Sequence, residues 1–296
     1  MINRKDFLKL MGAAGFTLAA GKLEAEETDE KKEFVGMLTD TTRCIGCRAC
    51  EKACAGAHGF EVPDVQTDNA LAKERPTSET QWTVVNRYET TKGGVFVKKQ
   101  CLHCWQPACA AACLTNAMYK TKDGPVIWRA GKCMGCRFCM VSCPFNIPKF
   151  EYNSNNPKIQ KCTMCWERLE RGEKPACASA CPNDALMFGY RRELMEIARG
   201  RIYNHPKDYV HHIYGEHEVG GTGWLYLSAV PFEQIGFRTD LGTTPYPEYT
   251  REFLYAVPVA FFGIPALLLG LRLLAENNGV KHEYRTWRRK KNRFYR

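Results

Sequence analysis

The cysteines constrain this chain more than any other feature. All sixteen lie between Cys44 and Cys181, and they form four groups of four. The groups are Cys44, Cys47, Cys50 and Cys54; Cys101, Cys104, Cys109 and Cys113; Cys133, Cys136, Cys139 and Cys143; and Cys162, Cys165, Cys177 and Cys181. Each group opens with a C-x2-C pair and closes with a C-x3-C pair, so the fold has to gather thiols at repeated positions.

The spacing within these groups, here called runs one to four, is typical of iron–sulfur ligands. Run three, followed by Pro144, is the C-x2-C-x2-C-x3-C-P pattern of two-cluster ferredoxins. Run one repeats this spacing without the proline. Run two has a longer gap between its second and third cysteines, and Leu114 follows its last cysteine. In run four that gap is longer still, and Pro182 follows the last cysteine. In that pattern the last cysteine of a run binds the neighbouring cluster, so two runs build two clusters. The sequence therefore predicts four [4Fe–4S] clusters, and spacing alone leaves open which runs pair.

Two other uses of these cysteines are less consistent with the spacing. A disulfide scaffold is disfavoured because neighbouring cysteines at x2 spacing usually point at one centre. Structural zinc fits a C-x2-C pair, but a tetrahedral site needs two such pairs, whereas each run carries further cysteines at ferredoxin offsets.

The charge of the chain lies mostly at its C-terminus. The formal net charge is +10, and residues 272–296 hold nine Lys or Arg against two Glu. Each oxidised cluster with its thiolates adds about two negative charges, which leaves the cysteine-containing part acidic. This distribution argues against a nucleic-acid partner and favours basic residues beside a lipid bilayer.

An uncharged segment precedes that basic tail. Phe253 to Leu271 is nineteen residues without a charge, close to the length of a membrane-spanning helix, and it contains Pro258 and Pro265. Tyr246, Tyr249 and Tyr255 suit an interfacial belt. The alternative is a buried helix of a soluble domain. The positive-inside rule predicts a single-pass protein of the inner membrane, with a cytoplasmic C-terminus and the clusters on the periplasmic side.

The N-terminus agrees with that topology. Residues 3–9, Asn-Arg-Lys-Asp-Phe-Leu-Lys, resemble a twin-arginine export signal in which Lys5 replaces the second arginine, and a weakly apolar stretch follows to Ala20. The alternative is an amphipathic N-terminus without a targeting role.

Between and after the runs, local patterns predict a few elements. Residues 82–88 and 95–99 read as a hairpin around Gly93 and Gly94, and residues 118–120 and 126–128 as a second around Asp123 and Gly124. Residues 184–188 indicate a strand and residues 191–199 an amphipathic helix. The scattered histidines His205, His211, His212 and His217 are interpreted as surface residues rather than ligands.

With four cluster motifs, an export signal and one C-terminal span, the chain resembles the four-cluster iron–sulfur subunits of membrane-bound respiratory oxidoreductases. The resemblance is greatest to the subunit that accompanies hydrogenase-2-type [NiFe] hydrogenases, and the beta subunit of membrane-bound formate dehydrogenase is similar too. It implies an α+β fold of tandem, nested two-cluster ferredoxin-like modules. The expected layout is a signal and linker at 1–33, the four-cluster domain at 34–190 with a hairpin insertion at about 55–100, a periplasmic extension at 191–250, a transmembrane helix at 251–275 and a cytoplasmic tail at 276–296.

The resemblance also implies a pairing of run one with run four and of run two with run three. The expected ligand sets are Cys44, Cys47, Cys50 and Cys181; Cys162, Cys165, Cys177 and Cys54; Cys101, Cys104, Cys109 and Cys143; and Cys133, Cys136, Cys139 and Cys113.

The implied function is electron relay between a periplasmic catalytic subunit, a hydrogenase or a dehydrogenase, and an integral membrane partner of the cytochrome b or other quinone-linked type. The sequence offers no nickel–iron site, molybdenum pocket or Gly-rich nucleotide loop, so we expect catalysis to reside in a partner. A self-contained membrane-anchored polyferredoxin or redox sensor is the competing class.

Overall fold

The computed structural model describes residues 33–65 and 68–277. The predicted export signal, within residues 1–32, and the basic tail beyond residue 277 lie outside the described residues. The strands are β1 (Val35–Asp40), β2 (Val84–Thr90), β3 (Gly93–Lys99), β4 (Met118–Lys120), β5 (Val126–Trp128), β6 (Lys149–Phe150), β7 (Ile159–Gln160), β8 (Leu186–Tyr190) and β9 (Trp224–Leu227). The α-helices are α1 (Ala49–His58), α2 (Ala108–Ala111), α3 (Phe138–Val141), α4 (Trp166–Leu169), α5 (Ala176–Ser179), α6 (Arg191–Asn204) and α7 (Glu248–Asn277). Short 3-10 turns lie at Thr41–Arg43, Asp68–Leu71, Ala130–Lys132, Glu218–Gly220 and Phe232–Ile235.

A three-stranded sheet joins the two ends of the cysteine region. Its order is β8-β1-β9, with β1 antiparallel to β8 and parallel to β9. Every residue of β9 is buried, as are five of the six in β1, because both faces of the sheet are covered. On one face Leu38 and Leu225 pack with helix α6, and on the other Met37 and Trp224 belong to a larger core. The chain after the last cysteine is therefore built into the same sheet as the chain before the first.

Both predicted hairpins are confirmed, although the bounds of the first differ. Strands β2 and β3 pair antiparallel from Val84 opposite Lys99 to Thr90 opposite Gly93, so both glycines lie in the strand rather than in the turn. Strands β4 and β5 pair over the predicted residues. The predicted strand and helix after Cys181 are also present, as β8 and α6.

Four of the helices each carry the third cysteine of a run. Helix α1 contains Cys50 and Cys54, whereas α2, α3 and α5 are single turns whose second residue is the third cysteine of a run. Helix α1 packs against α5, and α2 packs against α3. These contacts bring run one beside run four and run two beside run three.

The described residues contain one helix long and apolar enough to cross a membrane, namely Glu248–Leu273 within α7, with a mean hydropathy of 2.1. None of it is buried against the rest of the chain, and Phe261 and Phe262 are each 75% exposed. The helix continues through Pro258 and Pro265. It is therefore not a core helix of this fold.

Candidate metal centres

Runs one and three share one loop conformation. Each has a glycine with a left-handed backbone between its first two cysteines, Gly46 with φ 72° and Gly135 with φ 74°. The residue after the second cysteine is in both runs an arginine with a left-handed backbone conformation, Arg48 with φ 59° and Arg137 with φ 61°. Glycine adopts this conformation without steric cost, and its position lets the loop turn tightly before the helix begins.

Runs two and four share a different local structure, a proline followed by a one-turn helix. Pro107 and Pro175 each stand immediately before a one-turn helix, and both stretches read Pro-Ala-Cys-Ala-x-Ala-Cys. Proline is tolerated at this place because the residue before the helix has an extended backbone and its missing N–H is not needed there. The repeat at residues 107–113 and 175–181 is visible in the sequence and shows that the four runs are of two alternating kinds, a signal that the spacing argument missed.

The thiols of runs one and four meet at a cavity. The cysteines in its wall are Cys44, Cys47, Cys50 and Cys181. All sixteen cysteines are described, and the structure joins none of them in a disulfide. Four free thiols around one cavity are the donor set of a [4Fe–4S] cluster, so the residues present fit that group.

The remaining thiols fall into groups whose members raise one another's pKa. Burial raises the pKa of Cys54, and the thiolates of Cys162, Cys177 and Cys165 raise it further. Burial likewise raises the pKa of Cys104, with added contributions from Cys101, Cys143 and Cys109. For Cys139 burial and then Cys113, Cys133 and Cys136 bring the pKa to about 11. Such crowded thiols stay protonated on their own, whereas a bound iron cation deprotonates a coordinating thiol.

Among the described residues, no three His, Cys, Asp or Glu side chains converge as ligands of a single metal ion. A cubane does not require such convergence, because each thiolate binds a different iron atom.

Several polar groups next to the thiols were not predicted from the sequence. The sulfur of Cys113 accepts backbone N–H groups from Ala117 at 3.1 Å and Met118 at 3.3 Å. His58 Nε2 lies 3.5 Å from the Cys165 sulfur. His103 Nδ1 accepts the Val126 N–H at 2.9 Å, and its buried Nε2 has no hydrogen-bond partner in the described part of the chain. That nitrogen is a donor which a bound group with sulfur acceptors could satisfy.

The histidines predicted to be surface residues are exposed. The side chains of His205, His212 and His217 are 63%, 48% and 68% accessible, respectively. His212 Nε2 lies 2.7 Å from Glu218 Oε1, so this histidine makes a local hydrogen bond.

The cysteine loops and short hairpins define a protein of the [4Fe–4S] dicluster ferredoxin class. Two family models, each described as a 4Fe-4S dicluster domain, match residues 93–191 and residues 43–117. Together they cover all four runs, and the chain holds four [4Fe–4S] clusters, as predicted from the cysteine count.

Relatives narrow the class to a family. A Nitratidesulfovibrio vulgaris protein, named only as a protein, is 47% identical over 91% of this chain and 76% of its own length. The hydrogenase-2 operon protein HybA of Escherichia coli O157:H7 is 32% identical over 94% of this chain and 96% of HybA. The nitrate-inducible formate dehydrogenase iron-sulfur subunit of Escherichia coli K12 is 34% identical over 66% of this chain and 68% of that subunit. The chain belongs to the family of iron–sulfur electron-transfer subunits that includes HybA and these formate dehydrogenase subunits, as its resemblance implied.

Proposed function

We propose that this chain relays electrons between a periplasmic [NiFe] hydrogenase and an integral membrane partner linked to the quinone pool. One observation carries the choice of partner: the match to HybA extends over nearly the whole of both chains, whereas the match to the formate dehydrogenase subunit covers about two thirds of each. A formate dehydrogenase, or a related molybdenum or tungsten enzyme, is the alternative catalytic partner. The chain itself performs no substrate chemistry in this proposal.

The proposed ligand sets are the four named from the resemblance, with run one completing run four and run two completing run three. The packing of α1 on α5 and of α2 on α3 supports this pairing. So does the cavity in which Cys181 joins three cysteines of run one. The two modules are then nested, with runs two and three lying in the sequence between runs one and four.

The residues of the chain have three tasks in this relay. A bound [4Fe–4S] cluster supplies uptake and release of single electrons. The thiolates hold each cluster, and the apolar residues packed around them exclude water. Helix α1, with Cys50 and Cys54 on successive turns, fixes the separation between the clusters of runs one and four.

For the topology we propose that α7 spans the inner membrane, with the cluster domain at 34–190 and the extension at 191–250 on the periplasmic side and the tail in the cytoplasm. The apolar surface of Glu248–Leu273, none of which is buried in the rest of the chain, supports an anchor that packs on lipid or on a membrane partner. The twin-arginine-like N-terminus supports export of a folded, metal-loaded protein.

A chain cut after Thr250 tests the relay. It keeps all sixteen cysteines and loses most of a helix that contributes nothing to the core, so we expect it to retain four clusters. Hydrogen oxidation with a soluble dye should continue in the complex with the hydrogenase, while quinone reduction should fall sharply. A full-rate quinone reduction by the truncated protein would favour the self-contained polyferredoxin instead.

A point variant provides the same test in the full chain. Phe262→Arg places a charge in the middle of the apolar helix at a cost of about 3 kcal/mol, whereas the control Phe262→Leu leaves insertion unchanged. Co-purification from each strain identifies the partners: the relay predicts a large hydrogenase subunit and a multi-span protein. If a formate dehydrogenase subunit co-purifies instead, that enzyme is the catalytic partner. If the chain purifies without any partner, the result supports the redox sensor.

The ligand sets are tested by Cys54→Ala. In the proposed pairing this variant loses the cluster of Cys162, Cys165 and Cys177, and the matched variant Cys113→Ala loses that of Cys133, Cys136 and Cys139. Iron and sulfide analysis with electron paramagnetic resonance (EPR) spectroscopy follows the loss. Selective loss of the cluster held by Cys44, Cys47 and Cys50 in Cys54→Ala would contradict the pairing.

A further inference from the structure

Strand β3 carries a lysine into the interior of the protein. Lys98 is only 2% exposed, although lysine is among the residues least often buried. Its Nζ donates to Gln100 Oε1 at 2.8 Å and lies 4.4 Å from the ring centroid of Trp224. The ammonium is therefore held on one side by an amide oxygen and on another by the face of an indole.

A closed ring of hydrogen bonds fixes this arrangement. Gln100 Nε2 donates to the Tyr226 hydroxyl at 2.6 Å, and that hydroxyl donates to the Lys98 carbonyl at 2.9 Å. Trp224 is held in turn by its indole N–H, which donates to Thr39 Oγ1 at 2.7 Å. Gln100, Trp224, Tyr226 and Thr39 are each no more than 2% exposed. The positive charge thus has a fixed position and is almost entirely removed from water.

The position of Lys98 relates it to two of the proposed ligand sets. It lines the cavity whose wall includes Cys44, Cys47, Cys50 and Cys181. Burial alone would lower the pKa of Lys98, but Cys177, Cys50, Cys162 and Cys54, once deprotonated as cluster ligands, outweigh burial and hold the pKa above its usual value. Of these four thiolates, Cys50 belongs to the set of that cavity, and Cys54, Cys162 and Cys177 belong to its partner set. Lys98, which stays an ammonium, thus lines the cavity of one set, and Trp224, whose ring it faces, packs in the same core cluster as Cys162 and Cys177 of the other set.

We propose that Lys98 places a permanent positive charge between the two clusters of runs one and four and raises the reduction potential of both. The proposal rests on the ligand sets given under the proposed function. A reduced cluster carries one more negative charge than an oxidised one, so a fixed cation in a low-dielectric interior stabilises the reduced form. The step is the arrival of a single electron at a cluster, with no bond made or broken and no proton moved, because Lys98 is an ammonium in both states. Lys98 is a positioning residue in this role, since it acts through the clusters.

The test is a redox titration of the full chain in its complex, followed by EPR. Lys98→Met removes the charge and keeps the length of the side chain. We expect the ratio of reduced to oxidised cluster at a fixed ambient potential to fall about tenfold for two clusters, equivalent to about 59 mV for a one-electron couple. The other two clusters should keep their potentials. The affected pair is identified by comparison with Cys54→Ala and Cys181→Ala.

Two controls separate charge from packing. Lys98→Arg keeps the charge and should retain the potentials of the parent protein. Lys99→Met removes the same charge from the next residue of β3, whose Nζ instead bonds Glu74 at 3.0 Å and the Gly236 carbonyl at 2.7 Å, and it should shift none of the four. If Lys98→Met fails to load its clusters, Gln100→Glu serves in its place, because a carboxylate against the ammonium also cancels the charge and should lower the same two potentials.

Unchanged potentials in a fully loaded Lys98→Met or Gln100→Glu protein overturn the proposal, as does an equal shift of all four clusters. If two clusters shift but Cys54→Ala shows that they have other ligands, the ligand sets are wrong and the role of Lys98 stands.

Discussion

The first and third cysteine runs have the same loop in different surroundings. In run one Arg48 is 3% exposed and donates through Nη2 to Glu51 Oε2 at 3.0 Å. In run three the corresponding Arg137 lies on the surface, 5.5 Å from the ring centroid of Phe150 and 5.9 Å from that of Tyr152. An identical local conformation is therefore compatible with a buried arginine in one run and an exposed arginine in the other.

The segment between runs one and two is the reason why Arg48 is buried and Arg137 is exposed. Glu51, four residues after Cys47, accepts the Val85 N–H at 2.5 Å and Arg75 Nη2 at 2.6 Å through Oε1. Its other oxygen accepts Gln81 Nε2 at 3.0 Å. Run three has Met140 at the corresponding place. One buried carboxylate thus holds the insertion over run one, and run three, which lacks such an anchor, stays accessible to solvent.

The largest effect is expected from Glu51→Ala. It leaves two arginines and a backbone N–H without their shared acceptor in the interior, which should cost about 3 to 5 kcal/mol of the free energy of unfolding. A loss of that size should lower the melting temperature of the anaerobic protein by about 10 °C or more. Met140→Ala is the matched control and should change it less. Equal effects would mean that the carboxylate is not what holds the insertion in place.

A smaller difference should separate the two loop glycines. An alanine at either would be strained by a left-handed backbone, at about 1 to 2 kcal/mol. At Gly46 the new Cβ would also lie 2.6 Å from the ring of Phe96, whereas nothing lies within 4 Å at Gly135. Overpacking adds about 1 to 3 kcal/mol, so calorimetry should find Gly46→Ala the less stable protein. If Gly135→Ala is as damaging, the surroundings of the loop contribute nothing beyond its backbone.

The smallest effect is expected from Arg137→Met. An exposed cation–π contact contributes about 0.5 to 1 kcal/mol, and the methionine keeps part of the apolar contact with Phe150. Thermal unfolding should therefore move by no more than a few degrees. A loss as large as that of Glu51→Ala would show that run three is as deeply integrated as run one, and the comparison between them would fail.

Local signals predicted much of the fold. The Gly93–Gly94 and Asp123–Gly124 signals were sufficient to predict the two hairpins, although Gly93 and Gly94 belong to a strand and not to the turn. Helical periodicity located α6. Strands β1 and β9 were not predicted, because each depends on a partner far away in the sequence: Leu38 lies beside Leu225 and Met187. Trp224 to Leu227 is four buried residues without alternation, a pattern that short helices and loops share.

The same division applies to the site. Cysteine spacing predicted the clusters, since ligand motifs are local. It gave no indication of Glu51 or Lys98, whose roles arise from residues brought together only in the folded chain. Lys98 lies in a predicted strand, but whether its side chain faces water or thiols depends on how that strand packs against β9 and the cysteine runs.

Helix α1 has a consequence for how quickly charge can move. Cys50 and Cys54 are one turn apart, about 6 Å along the helix axis, and in the proposed pairing they bind different clusters. The i to i+4 hydrogen bond of an α-helix links the Cys50 carbonyl to the Cys54 amide, so a short bridge of covalent bonds and one hydrogen bond runs between the sulfurs. Tunnelling between the two centres would then depend on helical pitch, a dimension that thermal motion and side-chain substitution scarcely alter.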